Sequence, residues 1–212
     1  MNHIKVFLVE DDPDWIKAIT AFLNKEEDLL VIGSATSAEE AIRLTHTLSF
    51  DVVLMDIQLT DKGLDGIYAA VEMLEIRPAK IIMLTSLTDE HVITQAFTAG
   101  AIHYLDKTRF MELPHMIRSA HHHSAAMEVL LKELSRLKRE EQLKQLTEAE
   151  REVFELIEEG YTQAQIERKL YKAESTLKNQ VNKILKKFGA KSSKEAVEIV
   201  KRKGLFQRGR KE

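Results

Sequence analysis

The chain reads as an α/β protein with a doubly wound, five-stranded parallel sheet, followed by an all-α domain of four helices arranged as a helix-turn-helix. Two observations give the first part. Five short apolar runs alternate with amphipathic segments. Each run is continuously apolar or β-branched, as strands covered on both faces are. A third gives the second part: beyond residue 146, strand signals give way to helix starts and glycine stops.

The strands in order are IKVFLV, LLVIGSA, DVVLM, KIIMLT and AIHYL. Between them lie helical patterns at Asp14–Asn24, Ala38–Leu48, Gly66–Glu75 and Asp89–Thr98. Ser37 followed by Glu40 is a capping box for the second of these. From His115 to Glu159 there is neither Gly nor Pro, so a helix starting near Thr108, with Pro114 in or near its first turn, is expected to run well past His123. Met127, Leu130, Leu134 and Leu137 are spaced as a short coiled-coil seam, which Glu141 and Lys144 interrupt. Packing on a neighbouring domain is the better reading of that seam than pairing between chains. The last four helices open at Thr147 with Glu150, at Thr162 with Gln165, near Glu174, and at Ser192 with Glu195. Gly160, Gly189 and Gly204 end the first, third and fourth.

The bulk properties narrow the function. A length of 212 residues suits two domains, and 44% apolar content is ordinary for a globular chain. The absence of cysteine excludes disulfide and thiolate chemistry and fits a cytoplasmic location. No apolar run reaches the roughly 18–20 residues of a membrane span, so no membrane association is expected, and the N-terminus is a strand pattern rather than a signal peptide. The net charge of −3 hides an asymmetry. Residues 1–146 carry 15 basic and 23 acidic side chains, whereas residues 147–212 carry 16 and 11. A basic second half suits a polyanion partner, although a solvated basic surface explains the charge equally well.

The first apolar run ends in Glu10, Asp11 and Asp12. Like charges this close repel unless a cation sits among them. In a parallel sheet, ligands bind beyond the carboxyl ends of the strands, which is where this cluster falls. It could bind a hard cation, supply an acid–base pair, or decorate the surface. Asp56 after the third strand and Lys107 after the fifth decide for the cation. Carboxylates from two strand ends suit Mg²⁺, and Lys107 can hold a phosphoryl group that the metal also touches. Thr85, ending the fourth strand, adds a hydroxyl within reach.

These residues, in this order, resemble the receiver domain of two-component response regulators over about residues 3–122. The resemblance implies that Asp56 is the phosphoacceptor, taking a phosphoryl group from a sensor histidine kinase. Glu10, Asp11, Asp56 and the Gln58 backbone carbonyl would hold Mg²⁺, while Thr85 and Lys107 would bind the phosphoryl group. Tyr104 is in the position of an aromatic switch coupled to Thr85. The stretch DIQLTDKGLDG departs from the family in having Thr60 for a proline and two extra residues before Asp65, a longer loop that bears on phosphoryl lifetime.

Phosphatases of the haloacid-dehalogenase type carry a second carboxylate two residues beyond their Asp. Gln58 stands there, so the protein is not expected to be an enzyme. Dinucleotide binding fits more poorly still, because the first strand leads into acid rather than a glycine-rich turn.

The stretch from Leu146 to Val197 resembles the LuxR-type helix-turn-helix domain, making the whole chain similar to the NarL/FixJ group of response regulators. Leu146-Thr147, Glu150, Gly160, Ile166, Leu170, Glu174, Thr176, Lys178, Val181, Ile184, Lys187 and Gly189 are among the matching residues. The resemblance implies binding of double-stranded DNA, with Lys178, Asn179 and Asn182 facing base edges and Lys186 and Lys187 on phosphates. Five departures bear on it. Ala173 replaces the usual helix-starting Ser, and loss of such a cap costs about 1 kcal/mol. Glu167 stands where a small residue lets two helices approach. Gln180, Lys183 and Ala149 replace the usual His, Asn and Arg.

Two functional readings remain open. One is a phosphorylation-gated transcriptional regulator that dimerises when phosphorylated. The other is a phospho-regulated protein-interaction or dimerisation module whose helix-turn-helix reads no specific DNA. The expected organisation is a receiver at 1–122, a helical linker at 123–145, the helix-turn-helix domain at 146–206 and a basic tail at 207–212. The histidines 121–123 do not share one helix face, so a helix-end interaction or plain exposure is expected rather than a metal.

Overall fold

The computed structural model describes residues 3–60, 63–87, 89–122 and 125–203, with the side chains of 125–128, 132 and 201–203 outside that description. The five strands are β1 (Ile4–Val9), β2 (Leu29–Ala35), β3 (Val52–Met55), β4 (Lys80–Thr85) and β5 (Ala101–Asp106). They form one parallel sheet in the order β2-β1-β3-β4-β5. Helices α1 (Pro13–Leu23), α2 (Ala38–Thr45), α3 (Asp65–Ile76), α4 (Glu90–Thr98) and α5 (Leu113–His121) make the crossovers and cover the sheet. All four residues of β3 are buried, and β4 is buried after its first residue, which is why these runs show no polar alternation. The sheet core gathers Val6, Leu8, Ile19, Leu54, Ile82 and Ile117. Because β1 lies between β2 and β3, the crossovers change direction there, and the crevice beyond β1 and β3 is the expected ligand position.

Caps explain where helices begin. Asp12, extended and followed by Pro13, accepts the N–H groups of Asp14 (2.9 Å) and Trp15 (3.3 Å). One of the three adjacent acids is therefore a helix cap. At α2, Ser37 accepts the Glu40 N–H, while the Glu40 carboxylate takes the Thr36 N–H, one residue earlier than an ideal capping box.

The expected long helix is interrupted. A 3-10 turn at Lys107–Glu112 leads into α5, which ends at His121, and α6 (Ala125–Leu143) is a separate helix. No glycine or proline marks the end of α5, where the His122 ring nitrogen Nδ1 lies 2.8 Å from the Arg118 carbonyl. This is the helix-end role expected of the histidines; His123 is outside the described residues. Leu130 and Leu137 of the seam are exposed on α6, and the Met127 side chain is outside the described ones.

The chain divides into two compact units between Ser135 and Arg136. In the first, Ser135 Oγ donates to the Thr98 carbonyl (2.8 Å) and Leu131 packs against the sheet core. The second holds α7 (Glu148–Glu158), α8 (Gln163–Leu170), α9 (Glu174–Phe188) and α10 (Ser193–Lys203) around Val153, Phe154, Ile166, Leu177, Ile184 and Phe188. Gly160 and Gly189 take positive φ at the ends of α7 and α9, as their sequence positions require. Gly204 is outside the described residues.

Candidate functional site: an acidic crevice and an exposed helix

β1 delivers Glu10 and Asp11, and β3 delivers Asp56, to the same end of the sheet. One carboxylate oxygen from each lies within 4.8 Å of the others. Glu10 and Asp56 are buried and Asp11 is exposed, so the cluster opens to solvent on one side. β5 brings Lys107 between the buried pair, with Nζ 2.6 Å from Asp56 Oδ2 and 2.7 Å from Glu10 Oε2. The opposed charges shape each other. Burial pushes the Glu10 carboxyl above its ordinary value and the Asp56 charge adds to that, while Lys107 pulls the other way. Burial works against the Lys107 charge, but hydrogen bonds to Asp56 and Glu10 outweigh it and hold the ammonium above the usual lysine value. Two carboxylates share one ammonium. An all-oxygen donor set with one open side fits a hard divalent cation such as Mg²⁺ and does not fit a soft metal.

The surroundings fix Asp56. Its backbone N–H donates to the Val9 carbonyl (2.8 Å), and its Oδ1 accepts the Gln58 N–H (3.3 Å). Gly66, in the first turn of α3, lies so close that an added Cβ would meet the Asp56 carbonyl oxygen at 1.7 Å. The Gly66 N–H donates to the Ile57 carbonyl (3.0 Å), and Thr60 donates to the Asp65 carboxylate. Residues 61 and 62 of the longer loop are outside the described ones.

Thr85 and Tyr104 are joined through Leu87. The Thr85 hydroxyl, buried at the end of β4, accepts the Leu87 N–H (3.3 Å), and the Tyr104 hydroxyl donates to the Leu87 carbonyl. Burial, aided by Asp106 and Asp56, pushes the Tyr104 phenol up to about 12, so it stays a neutral donor.

In the second unit, Lys178, Asn179, Asn182 and Lys186 are exposed along α9, on the side away from buried Leu177, Ile184 and Phe188. Lys187 departs from the expected phosphate contact. Its ammonium is 2.5 Å from Glu150 and 2.8 Å from the Gln145 carbonyl, tying α9 to the start of α7. Glu150 is buried and also caps the Thr147 N–H (2.8 Å), so it needs that cation. Ala173 makes no side-chain cap to α9, as its identity requires. Glu167 is half-buried, so its carboxylate is not trapped between helices.

Residues 6–118 match the response regulator receiver domain family, and residues 144–200 match the bacterial regulatory proteins of the luxR family. The chain is a response regulator. The transcriptional regulatory protein LiaR of Bacillus subtilis (strain 168) is 35% identical over 210 residues, covering 95% of this chain and 99% of LiaR. The response regulator protein VraR of Staphylococcus epidermidis is 31% identical over 209 residues, covering 96% and 99%. Among solved structures, the response regulator domain of Thermotoga maritima CheB aligns at a TM-score of 0.53 and 25% identity, over 58% of this chain and 99% of that domain. For this response regulator, the receiver domain implies a histidine kinase partner and the luxR-family domain implies DNA binding.

Three features of the response regulator went unread in its sequence. The Asp12 cap was signalled by Pro13 directly after it. The tight Gly66 approach carried only the weak signal of a glycine inside a helix start. Trp15, whose ring lies beneath Lys107 at 5.7 Å, carried none.

Proposed function

We propose that this response regulator is a phosphorylation-gated transcription factor in which Asp56 is the phosphoacceptor. The observation that carries the reading is the buried Glu10–Lys107–Asp56 arrangement opening onto Asp11. An Asp56 carboxylate oxygen attacks the phosphorus of a phosphohistidine on the kinase. A P–O bond forms as the P–N bond breaks, and the imidazole leaves with the electron pair. Glu10, Asp11, Asp56 and the Gln58 carbonyl are the residues to hold Mg²⁺, which when bound would neutralise charge on the transferring group. Lys107, already charged, turns from the carboxylates to the phosphoryl oxygens. The Thr85 hydroxyl follows toward the same group, releasing the Leu87 N–H and changing the support of Tyr104. The surface around β5 and α4 then changes, and dimerisation of the chain follows.

On this reading α9 is the DNA-reading helix, with Lys178, Asn179 and Asn182 toward bases and Lys186 toward phosphate. The protein acts in the cytoplasm, with functional segments at 1–122, 123–145, 146–206 and 207–212. The missing cap at Ala173 favours a second reading, a protein-contact module, and one experiment separates the two. Genomic fragments bound by the full-length protein are selected with and without Mg²⁺ and beryllofluoride. A common site enriched more strongly with the phosphoryl mimic is the expected result. No enrichment in either state, with a mimic-induced change in the receiver, would move the output to a protein partner.

A further inference from the structure

Glu10 and Asp56 both hold the Lys107 ammonium, which sits at the end of a flexible four-carbon stem. The same ammonium lies over Trp15, presented by the first turn of α1 after the Asp12 cap. The Lys107 ammonium sits 5.7 Å from the indole centroid. The ring is braced edge-on by Phe110 at 5.8 Å, and Phe110 is braced edge-on by Phe22 at 5.4 Å. The Trp15 indole N–H is buried and makes no hydrogen bond among the described residues. Packing alone orients the ring, and the orphaned donor is a cost that Phe or Leu would avoid. The visible return for that cost is the aromatic face beneath the ammonium, and tryptophan offers the strongest such face.

The geometry points to Trp15 as a positioning residue for phosphoryl transfer: backed by Phe110 and Phe22, its ring places the Lys107 ammonium between Glu10 and Asp56, where an arriving phosphoryl group meets it. The inference rests on the phosphoacceptor reading of Asp56. Trp15→Leu keeps an apolar side chain but removes the face, and Trp15→Phe keeps a smaller face.

The test uses the full-length protein and acetyl phosphate as donor. Labelling by Trp15→Leu is expected to be slower by about threefold to tenfold, the scale of one cation–π contact, with Trp15→Phe recovering most of the rate. Mg²⁺ affinity measured by calorimetry is expected to stay within about twofold in both variants, since Trp15 supplies no oxygen ligand. Wild-type rates in Trp15→Leu, or equal slowing in both variants, would overturn the inference, the latter by reducing Trp15 to packing. A second readout needs neither metal nor phosphate. Ring current from the indole is expected to shift the Lys107 side-chain methylene protons upfield in the NMR spectrum of the metal-free protein, assigned with Lys107→Arg. Unshifted methylenes would overturn the placement, whereas shifted methylenes in a wild-type protein that takes no label would indict the phosphoacceptor reading alone.

Discussion

Gly66→Ala tests how closely the first turn of α3 supports Asp56. The added Cβ would stand 1.7 Å from the Asp56 carbonyl oxygen, 2.8 Å from its carbon and 3.1 Å from the Ile57 Cα. All three are backbone atoms of the segment that β3 and the Gly66–Ile57 hydrogen bond hold, so no side chain can swing aside. Reaching even the 3.0 Å below which Cβ contacts are essentially never seen requires an opening of about 1.3 Å. Overpacking on this scale costs roughly 1–3 kcal/mol of stability. A misplacement of about 1 Å at a reacting group lowers rates on the order of a hundredfold. The assay pairs urea unfolding with labelling by acetyl phosphate in the presence of Mg²⁺. A variant with wild-type midpoint and wild-type labelling rate would refute the claim that Gly66 is required by contact with the Asp56 backbone.

Lys107→Ala leaves Glu10 and Asp56 buried without their cation, and is expected to lose about 3 kcal/mol in Mg²⁺-free urea unfolding, with Mg²⁺ restoring more stability than it adds to wild type; equal stability with and without Mg²⁺ would contradict this. Lys187, then the Thr147 N–H, holds the Glu150 carboxyl below its usual value. A depressed folded value means that the unfolded chain takes up the proton first. Stability from this group is present above about pH 4.5 and is lost as pH falls through the lower folded value. Glu150→Gln is therefore expected to flatten the acid limb of unfolding midpoint against pH, and an unaltered slope would count against the pairing. Tyr171 is 96% exposed with φ of 52° at the end of α8. Tyr171→Gly is expected to stabilise by roughly 0.5–1 kcal/mol, the left-handed penalty less the extra chain entropy of glycine, and a lowered thermal midpoint would contradict it.

The sheet was legible because β1, β3 and β4 are buried on both faces, which leaves continuous apolar runs in the sequence. The acidic crevice was legible for a related reason. Each of its residues lies one or two positions past a strand end, so the topology carries Glu10, Asp11, Asp56 and Lys107 to one edge. What the sequence hid depends on contacts between distant positions. The end of α5 at His121 is marked by neither Gly nor Pro. Lys187 reads as one more basic side chain on α9 until buried Glu150 is placed beside it. Trp15 and Lys107 lie on different elements, and the ring meets the ammonium only in the folded chain, where Phe110 packs against it.

Everything proposed for the receiver depends on Asp56 taking the phosphoryl group. The most direct test is to incubate the full-length protein with acetyl phosphate and Mg²⁺ and locate the modified residue by peptide mass spectrometry, with Asp56→Ala alongside. A single phosphoryl group on the Asp56 peptide and none in the variant is the expected result. Label on another residue, or label persisting in Asp56→Ala, would contradict it.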